Sequence, residues 1–328
     1  MTKKHWVLIL LLSLATFAAG FFAAYLILDG YGAKQFAIRE YDQRYEFIRP
    51  LLICQANEEE ETREFSSLER QVNSVIAAAK REGKVTSASV YFRDLNSGRW
   101  VGVNELETYS PASLLKVPIM MAYFKASEDD PTILETRYRY NRKGEEADPL
   151  VKDPLLLENR TYTALDLIRG MIVQSDNPAK DILEQNADVT SVFETYSALE
   201  INNPYDTDDE LYKLSAKKYG LFFRVLYNGT FLNREMSNQA LALLSESEFD
   251  LGLRAGTPTN IRVAHKHGVH GFTQDDGSHG VEVSDCGIIY NSSSPYLLCV
   301  MSLGTNAYVL SDVIKDIAET VYQAVIRE

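Results

Sequence analysis

A serine and a lysine three residues apart, Ser113 and Lys116, lie in the otherwise apolar stretch YSPASLLKVPIM, residues 109–120. Residues i and i+3 of a helix share a face, so a helix here would place the hydroxyl beside the amine. A lysine held where water is scarce loses its preference for the charged form and can act as a base. The pair could therefore activate a serine nucleophile. The competing interpretation is an amphipathic helix whose lysine reaches solvent.

Two further motifs downstream carry residues suited to the same chemistry. Ser175-Asp176-Asn177 closes the helical segment LIRGMIVQ and precedes Pro178, and Lys266-His267-Gly268 ends a segment with strand character. Taken alone, Ser175-Asp176-Asn177 is typical of a helix-capping turn, and Asp176 is expected to tie that turn together. The three motifs are far apart in the chain, so they can act together only if the fold brings them into one crevice.

In residue type, order and context the three motifs resemble the S-x-x-K, S-D-N and K-T-G motifs of class A β-lactamases and penicillin-binding proteins. The stretch PASLLKVP is similar to the nucleophile helix of that superfamily, and GLRAGTPTNIRVAHKHG to its run into the third motif. The similarity covers residues 64–328 and identifies the chain as a class A β-lactamase-like serine hydrolase. The order of helical and strand-like patterns along the chain predicts an α+β fold, in which an antiparallel sheet built from both chain ends, with flanking helices, lies beside a mainly helical subdomain. The resemblance implies the same fold.

The resemblance implies three catalytic side chains and an oxyanion hole. Ser113 would be the nucleophile, and Lys116 in its neutral form would take the hydroxyl proton. Ser175 would relay a proton to the leaving nitrogen. The backbone N–H groups of Ser113 and Val269 would stabilise the developing oxyanion.

The same resemblance implies four substrate-binding residues. Asn177 would hydrogen-bond the substrate's amide carbonyl. Lys266 would attract a substrate carboxylate and lower the pKa of Lys116. His267 replaces the threonine or serine that the superfamily usually has, and would donate to the carboxylate in a pH-dependent manner. A side chain at Gly268 would crowd a substrate lying along the strand.

One element of class A β-lactamases is missing. Those enzymes carry a loop glutamate in a Glu-x-x-Leu-Asn pattern, which activates the water that cleaves the acyl-enzyme. Residues 187–215 contain no such pattern, and Glu200 is the nearest candidate, with the wrong spacing. Loss of general-base catalysis typically costs about 10²–10⁴ in rate. The sequence therefore supports acylation firmly and rapid β-lactam hydrolysis only weakly, and the rate of deacylation is left open.

Three alternatives to a β-lactamase remain open. A D-Ala-D-Ala carboxypeptidase or penicillin-binding protein with slow deacylation would use the same residues. A non-catalytic peptidoglycan-binding or penicillin-sensing module on the same fold would retain ligand affinity without Ser113. The series His265, His267 and His270 could bind zinc, but it lacks the further ligands of metallo-hydrolases and coincides with the third motif. We therefore expect no metal and no cofactor.

Composition restricts the partners. The chain has 328 residues, is 45% hydrophobic and carries a formal net charge of −13. Without a basic stripe, this charge argues against nucleic acid as a partner. The resemblance implies a β-lactam or a peptidoglycan stem peptide as substrate. The oligomeric state is left open.

The N-terminal region predicts a membrane anchor. Residues 6–28 are uncharged and largely apolar, which is long enough to span a bilayer and longer than the apolar core of a signal peptide. We predict a signal anchor over residues 1–32, a stalk over 33–63, and a hydrolase domain over 64–328 whose helical subdomain covers about 128–260. A cleavable signal ending at Ala18-Ala19-Gly20 is the alternative. The domain is expected outside the cytoplasm, in the periplasm or at the cell surface.

Two of the three cysteines lie symmetrically about the segment NSSSP, residues 291–295. This segment predicts a hairpin turn, which would place Cys286 opposite Cys299 on neighbouring strands. An oxidising compartment could then join them. Two buried thiols that behave as small hydrophobic side chains are the favoured interpretation.

Overall fold

The structure is a computed structural model that describes residues 4–5, 16–17, 20, 37–39, 42, 44–54, 66–141, 150, 156–205, 212–273, 277–292 and 294–327. The strands are β1 Ala37–Arg39, β2 Leu51–Cys54, β3 Ser87–Asp94, β4 Trp100–Val103, β5 Thr108–Tyr109, β6 Arg137–Tyr140, β7 Arg160–Thr163, β8 Leu214–Ser215, β9 Val263–Thr273, β10 His279–Ile289 and β11 Tyr296–Gly304. The helices are α1 Ser66–Arg81, α2 Lys116–Asp129, α3 Thr132–Glu135, α4 Ala164–Val173, α5 Asn177–Asn186, α6 Val189–Ser197, α7 Ala216–Asn228, α8 Arg234–Ser245, α9 Gly252–Ala255 and α10 Ala307–Val325.

A five-stranded antiparallel sheet with the order β4-β3-β11-β10-β9 organises the molecule. The hairpin of β3 and β4 turns at Asn96-Ser97-Gly98, where the carboxylate of Asp94 accepts from the backbone N–H groups of Asn96 and Ser97 and Gly98 takes φ +80°. The adjacent strand β11 comes from the other end of the chain. The predicted α+β fold, with one antiparallel sheet assembled from both chain ends, is therefore confirmed.

Apolar side chains leave the sheet on both faces because successive residues of a strand point to opposite sides. On one face Val283 and Val300 pack with α1 and α10, whose buried residues recur at helical spacing. On the other face Cys286, Leu297 and Met301 pack with the helical part of the chain. The sheet is thus a middle layer between two sets of helices.

Helices α2 to α9 lie between the two groups of sheet strands in sequence, together with the short strand pairs β5–β8 and β6–β7. Several begin at the side-chain caps that their sequences provide, and Thr163 with Asp166 forms a complete capping box at the start of α4.

The predicted domain boundaries at residues 32 and 63 lie outside the described residues and stay predictions. Within the described residues no helix has both the length and the apolarity to cross a membrane. Residues 6–28 lie almost entirely outside that part, so the predicted anchor also stays a prediction.

Cys286 and Cys299 are joined by a disulfide, which corrects the interpretation as two separate thiols. The antiparallel register places the two residues directly opposite each other on β10 and β11. Both are fully buried on the sheet face that packs against the helical part. The symmetric hairpin correctly predicted that Cys286 lies opposite Cys299. Whether the two sulfur atoms are bonded could not be predicted from the residues alone.

Replacing both cysteines by serine is expected to lower the free energy of unfolding by about 3 kcal/mol, because the bridge restricts a short loop of the unfolded chain. Urea unfolding of the variant and of the unmodified protein, each with and without reductant, measures this. Cys54→Ser is the control: it keeps the bridge, so its stability with and without reductant should match that of the unmodified protein. An unchanged unfolding midpoint for the double variant would contradict a stabilising disulfide.

Candidate active site

Ser113 lies in a single 3₁₀ turn, Ala112–Leu115, immediately before α2. Ala112 adopts φ +46°, an unusual conformation for a residue with a side chain. The carbonyl of Leu114 accepts from the hydroxyl of the buried Tyr219 at 2.8 Å, which fixes the turn to α7. Ser113 itself is only partly buried. A serine on a tightly held turn at the edge of the core is suited to meet a substrate.

Lys116 begins α2 one turn after Ser113, and its side chain is 2% exposed. Its Nζ lies 3.0 Å from Ser113 Oγ and 3.1 Å from Ser175 Oγ. It also lies 2.6 Å from both the carbonyl oxygen of Ser175 and Oδ1 of Asn177. The structure therefore brings three of the predicted site residues, Ser113, Ser175 and Asn177, to the side-chain nitrogen of a fourth, Lys116.

The hydrogen-bond partners of Lys116 restrict what its nitrogen can do. The Ser175 carbonyl and Asn177 Oδ1 can only accept, so together they occupy two N–H bonds. A neutral amine has two N–H bonds and one lone pair, whereas an ammonium has three N–H bonds. In the neutral form, the lone pair is thus left for a serine hydroxyl. The geometry is compatible with proton transfer from Ser113 to Lys116.

Ser175-Asp176-Asn177 forms the connection between α4 and α5, as its sequence predicts. Ser175 adopts φ +57°, and Asp176 is the N-cap of α5, accepting from the backbone N–H of Ala179 at 2.7 Å. The other carboxylate oxygen of Asp176 accepts from the hydroxyl of Tyr140 at 2.7 Å. Asp176 therefore ties the turn together and does not face Lys116. Tyr140 was not identified from the sequence, because nothing local marks a partner 36 residues away.

Tyr140→Phe is expected to weaken the hold on the Ser175 turn. Loss of a buried hydrogen bond to a charged acceptor should lower the free energy of unfolding by about 1.5–3 kcal/mol. Acylation of Ser113 should also slow, because Ser175 would occupy its unusual conformation less often. Chemical unfolding and the rate of acylation measure the two effects. Tyr162→Phe is the control, since the Tyr162 ring packs edge-on against Tyr140 but its hydroxyl accepts an exposed hydrogen bond. Equal effects in both variants would contradict this role of Tyr140.

Lys266-His267-Gly268 lies in the middle of β9, not at a strand end, since pairing with β10 continues to Thr273. Strand β9 is at one edge of the sheet and packs against the turn that carries Ser113. A Cβ atom on Gly268 would lie 2.6 Å from the carbonyl oxygen of Pro111 and 3.2 Å from the backbone nitrogen of Ser113. Gly268 is thus required for close contact with the turn itself. From the sequence, the expected reason for a glycine at this position is room for a substrate along the strand.

Gly268→Ala is expected to displace the Ser113 turn, because the added methyl group meets backbone atoms that cannot rotate away. A displacement of about 1 Å can cost about 10² in rate, so we expect a loss of that order in acylation. Gly271→Ala on the same strand is the control, since its Cβ would meet His279 only at 3.5 Å. Stopped-flow acylation of the two variants, with melting temperatures as a check on folding, measures the difference. Equal rates would contradict it.

Lys266 and His267 leave β9 on opposite faces. Lys266 is fully buried on the face of Gly268, and its Nζ donates to the His267 carbonyl at 3.3 Å. His267 is 1% exposed, and its ring stacks on Phe249 with centroids 3.9 Å apart. The structure thus brings Gly268 to the nucleophile turn, whereas the roles of Lys266 and Val269 toward a substrate stay predictions. Substrate binding by His267 stays a prediction.

The three histidines of the zinc hypothesis have separate surroundings. His265 Nδ1 lies 2.9 Å from Asp285 Oδ1, and both side chains are buried on the face of the sheet opposite to Lys266. His270, half-buried, lies 3.4 Å from Glu282 Oε2. Among the residues that the structure describes, no group of three potential metal ligands converges. The zinc hypothesis therefore has no support in the geometry.

Glu282 is a second site neighbour that sequence reasoning missed. Its carboxylate accepts from the backbone N–H of Ser110 at 2.9 Å and so joins β10 to the segment before Ser113. A glutamate in a strand of alternating residues gives no sign of such a contact. Glu200, the candidate base, is exposed with φ +52°; its backbone N–H donates to the Ser197 carbonyl and its own carbonyl accepts from Lys218. In the described chain no hydrogen bond or ion pair links Glu200 to a motif residue.

Residues 67–325 match the sequence model of a family described as the β-lactamase enzyme family. The chain belongs to the β-lactamase enzyme family. No curated protein matches this member of the family. Among solved structures, PBP-A is similar at 22% identity and a TM-score of 0.63, covering 80% of this chain and 97% of PBP-A.

Two further solved structures are similar to this β-lactamase family member. A class A β-lactamase from Mycobacterium abscessus has 18% identity and a TM-score of 0.65, covering 79% of this chain and 99% of its own. A β-lactamase from Sphaerobacter thermophilus DSM 20745 has 20% identity and a TM-score of 0.64, covering 78% and 96%. At these identities the likeness establishes the shared fold.

Proposed function

We propose that this protein is a serine hydrolase that forms an acyl-enzyme at Ser113 with β-lactams or related acyl-D-Ala-D-Ala substrates. The observation that carries the proposal is the 3.0 Å contact between Ser113 Oγ and the buried Nζ of Lys116, which Ser175 and Asn177 hold in place. A nucleophile beside a positioned base is what acyl transfer requires. Membership of the β-lactamase enzyme family supports the same chemistry.

In the proposed acylation, neutral Lys116 accepts the proton of Ser113 while Oγ attacks the substrate's carbonyl carbon. The backbone N–H groups of Ser113 and Val269 stabilise the oxyanion. When the carbon–nitrogen bond breaks, Ser175 passes a proton from Lys116 to the leaving nitrogen, which returns Lys116 to its neutral form. Lys266 attracts the substrate carboxylate. Hydrolysis of the ester by water then releases the acyl group and restores the serine.

The second part of the proposal is that water cleaves the acyl-enzyme slowly. Slow deacylation is what a penicillin-binding protein or a D-Ala-D-Ala carboxypeptidase would show, and these roles are the alternative to rapid β-lactam hydrolysis. Within the part of the chain that the structure describes, no hydrogen bond or ion pair joins the Glu200 side chain to Ser113 or Lys116. The L158E mutant of PBP-A, a solved structure at 23% identity, is an acyl-enzyme complex with penicillin G. A protein of this fold can thus hold a penicillin adduct.

A time course with fluorescent penicillin, read by gel and mass spectrometry, tests the proposal. We expect one labelled serine, at Ser113, and an adduct that persists after excess penicillin is removed. Loss of label within the mixing time would indicate a fast β-lactamase. Absence of any label would contradict the proposed substrate class.

We further propose that residues 6–28 anchor the protein in a membrane, with the hydrolase domain on the extracytoplasmic side. The length and apolarity of this segment support the anchor. Location of the substrate supports the orientation, since peptidoglycan lies outside the cytoplasm. Carbonate extraction of membranes and protease accessibility in spheroplasts test the two parts separately.

A further inference from the structure

A cavity of about 530 Å³ lies away from the candidate active site, beside the turn that joins β10 and β11. Its walls include Tyr290 and Asn291 of that turn and Tyr227 at the end of α7. Ser284, which pairs with Gly268, is six residues from Tyr290 along β10. At about 3.3 Å per residue this corresponds to about 20 Å. The cavity is therefore a separate site.

The cavity wall is rich in arginine, although the protein as a whole is acidic. Arg39, Arg49 and Arg262 line it together with a single carboxylate, that of Glu46. Arg262 lies 2.6 Å from Glu46 and 5.0 Å from the centre of the Phe47 ring. Among the described lining residues, positive charge thus exceeds negative charge. Guanidinium groups favour phosphate and carboxylate ligands because they offer several N–H donors in one plane.

Two residues that line the cavity carry neutral donors that lack a hydrogen bond among the described residues. Nδ2 of Asn291 and the hydroxyl of Tyr227 are buried without a hydrogen bond in the described part of the chain. The two residues are 7% and 1% exposed. Burial raises the pKa of Tyr227 to about 12, so its hydroxyl keeps its proton at neutral pH. Buried donors without acceptors are costly, and a ligand with several acceptor oxygens would remove that cost.

We propose that this cavity binds the phosphate group of an anionic membrane lipid. A phosphodiester supplies acceptor oxygens for Arg262, Asn291 and Tyr227, and the rings of Phe47 and Tyr290 provide a surface for the glycerol carbons. The lipid source follows from position in the chain. Arg39 is eleven residues beyond Leu28, the end of the proposed anchor. A fully extended segment of eleven residues spans at most about 40 Å, so Arg39 lies within that distance of the end of the anchor. Basic residues beside a membrane span attract anionic lipids.

The proposal that the phosphate belongs to a lipid rests on the proposed membrane anchor. The proposal that the cavity binds a phosphate group does not depend on the anchor, and neither proposal depends on the role of Ser113.

The full chain in a non-ionic detergent is titrated with three water-soluble probes at constant ionic strength: glycerophosphoglycerol, glycerophosphocholine and inorganic phosphate. Calorimetry measures the affinity. We expect saturable binding of glycerophosphoglycerol, at least tenfold tighter than that of the other two probes.

Three variants test whether binding occurs in this cavity. Arg262→Gln and Asn291→Asp should each weaken glycerophosphoglycerol binding at least tenfold. Glu46→Gln, which breaks the same ion pair as Arg262→Gln but removes the negative charge, should bind at least as tightly as the unmodified protein. Asn291→Asp keeps the test valid if Arg262→Gln fails to fold.

Several results would overturn the proposal. Absence of saturable binding, or binding unaffected by both weakening variants, would show that the cavity is not a phosphate site. Equal affinity for inorganic phosphate would show that free phosphate, not a lipid, is the ligand. Fluorescent-penicillin labelling of the same samples reports on Ser113 independently, so a failure of the proposed hydrolase function is distinguishable from a failure of this site.

Discussion

Ser113→Ala is expected to abolish the penicillin adduct. Removing the nucleophile removes the partly exposed hydroxyl that lies 3.0 Å from the buried amine of Lys116, and losses on the order of 10⁴–10⁶ are typical for a serine nucleophile. Non-covalent affinity for the substrate should change little, because the hydroxyl is small. Intact-protein mass spectrometry after penicillin exposure measures the adduct, and calorimetry measures the affinity.

Ser110→Ala is the matched control for this variant. Ser110 lies three residues earlier in the same segment, and its contact with Glu282 uses the backbone N–H, which alanine keeps. It should acylate at the rate of the unmodified protein. A persistent adduct in Ser113→Ala would disprove the assigned nucleophile. Retained affinity together with no acylation of the unmodified protein would instead indicate a non-catalytic binding module.

Lys116→Met is expected to have the second-largest effect. Methionine fills a similar volume but cannot accept a proton, so acylation should slow by about 10²–10⁴. The remaining rate should lose the dependence on pH that titration of a base confers. Stopped-flow acylation between neutral and alkaline pH measures both quantities.

Lys125→Met, on the same helix, is the control for Lys116→Met. Lys125 is partly exposed and pairs with Glu128 at 2.9 Å, so the same chemical change there should leave acylation unaffected. Melting temperatures of the two variants separate lost catalysis from lost folding. If Lys116→Met acylates at the normal rate and pH dependence, another group must act as the base.

The residues in direct contact at the site could be predicted because each motif is local. Ser113 and Lys116 are three residues apart, and Ser175 and Asn177 are two apart, so short patterns identify them. Alternating and helical hydrophobic spacing also predicted the sheet from both chain ends. The resemblance then indicated that separate motifs converge, which no local pattern establishes.

The supporting contacts could not be predicted, since each joins distant parts of the chain. Tyr140 meets Asp176, and Glu282 meets the backbone of Ser110, through contacts that only the folded chain creates. The position of His267 depends on Phe249, which comes from a loop before α9. The positive φ angle of Ser175 is likewise imposed by its surroundings.

Pairing of β3 with β11 has a consequence for biosynthesis. Tyr91 faces Cys299 across these strands, so about 200 residues must leave the ribosome before β3 acquires its partner. At ordinary elongation rates that interval is roughly 10–40 s, during which a nascent apolar strand has an unoccupied edge. We therefore expect newly made chains to depend on chaperones, and chains truncated before β11 to be degraded rather than to accumulate.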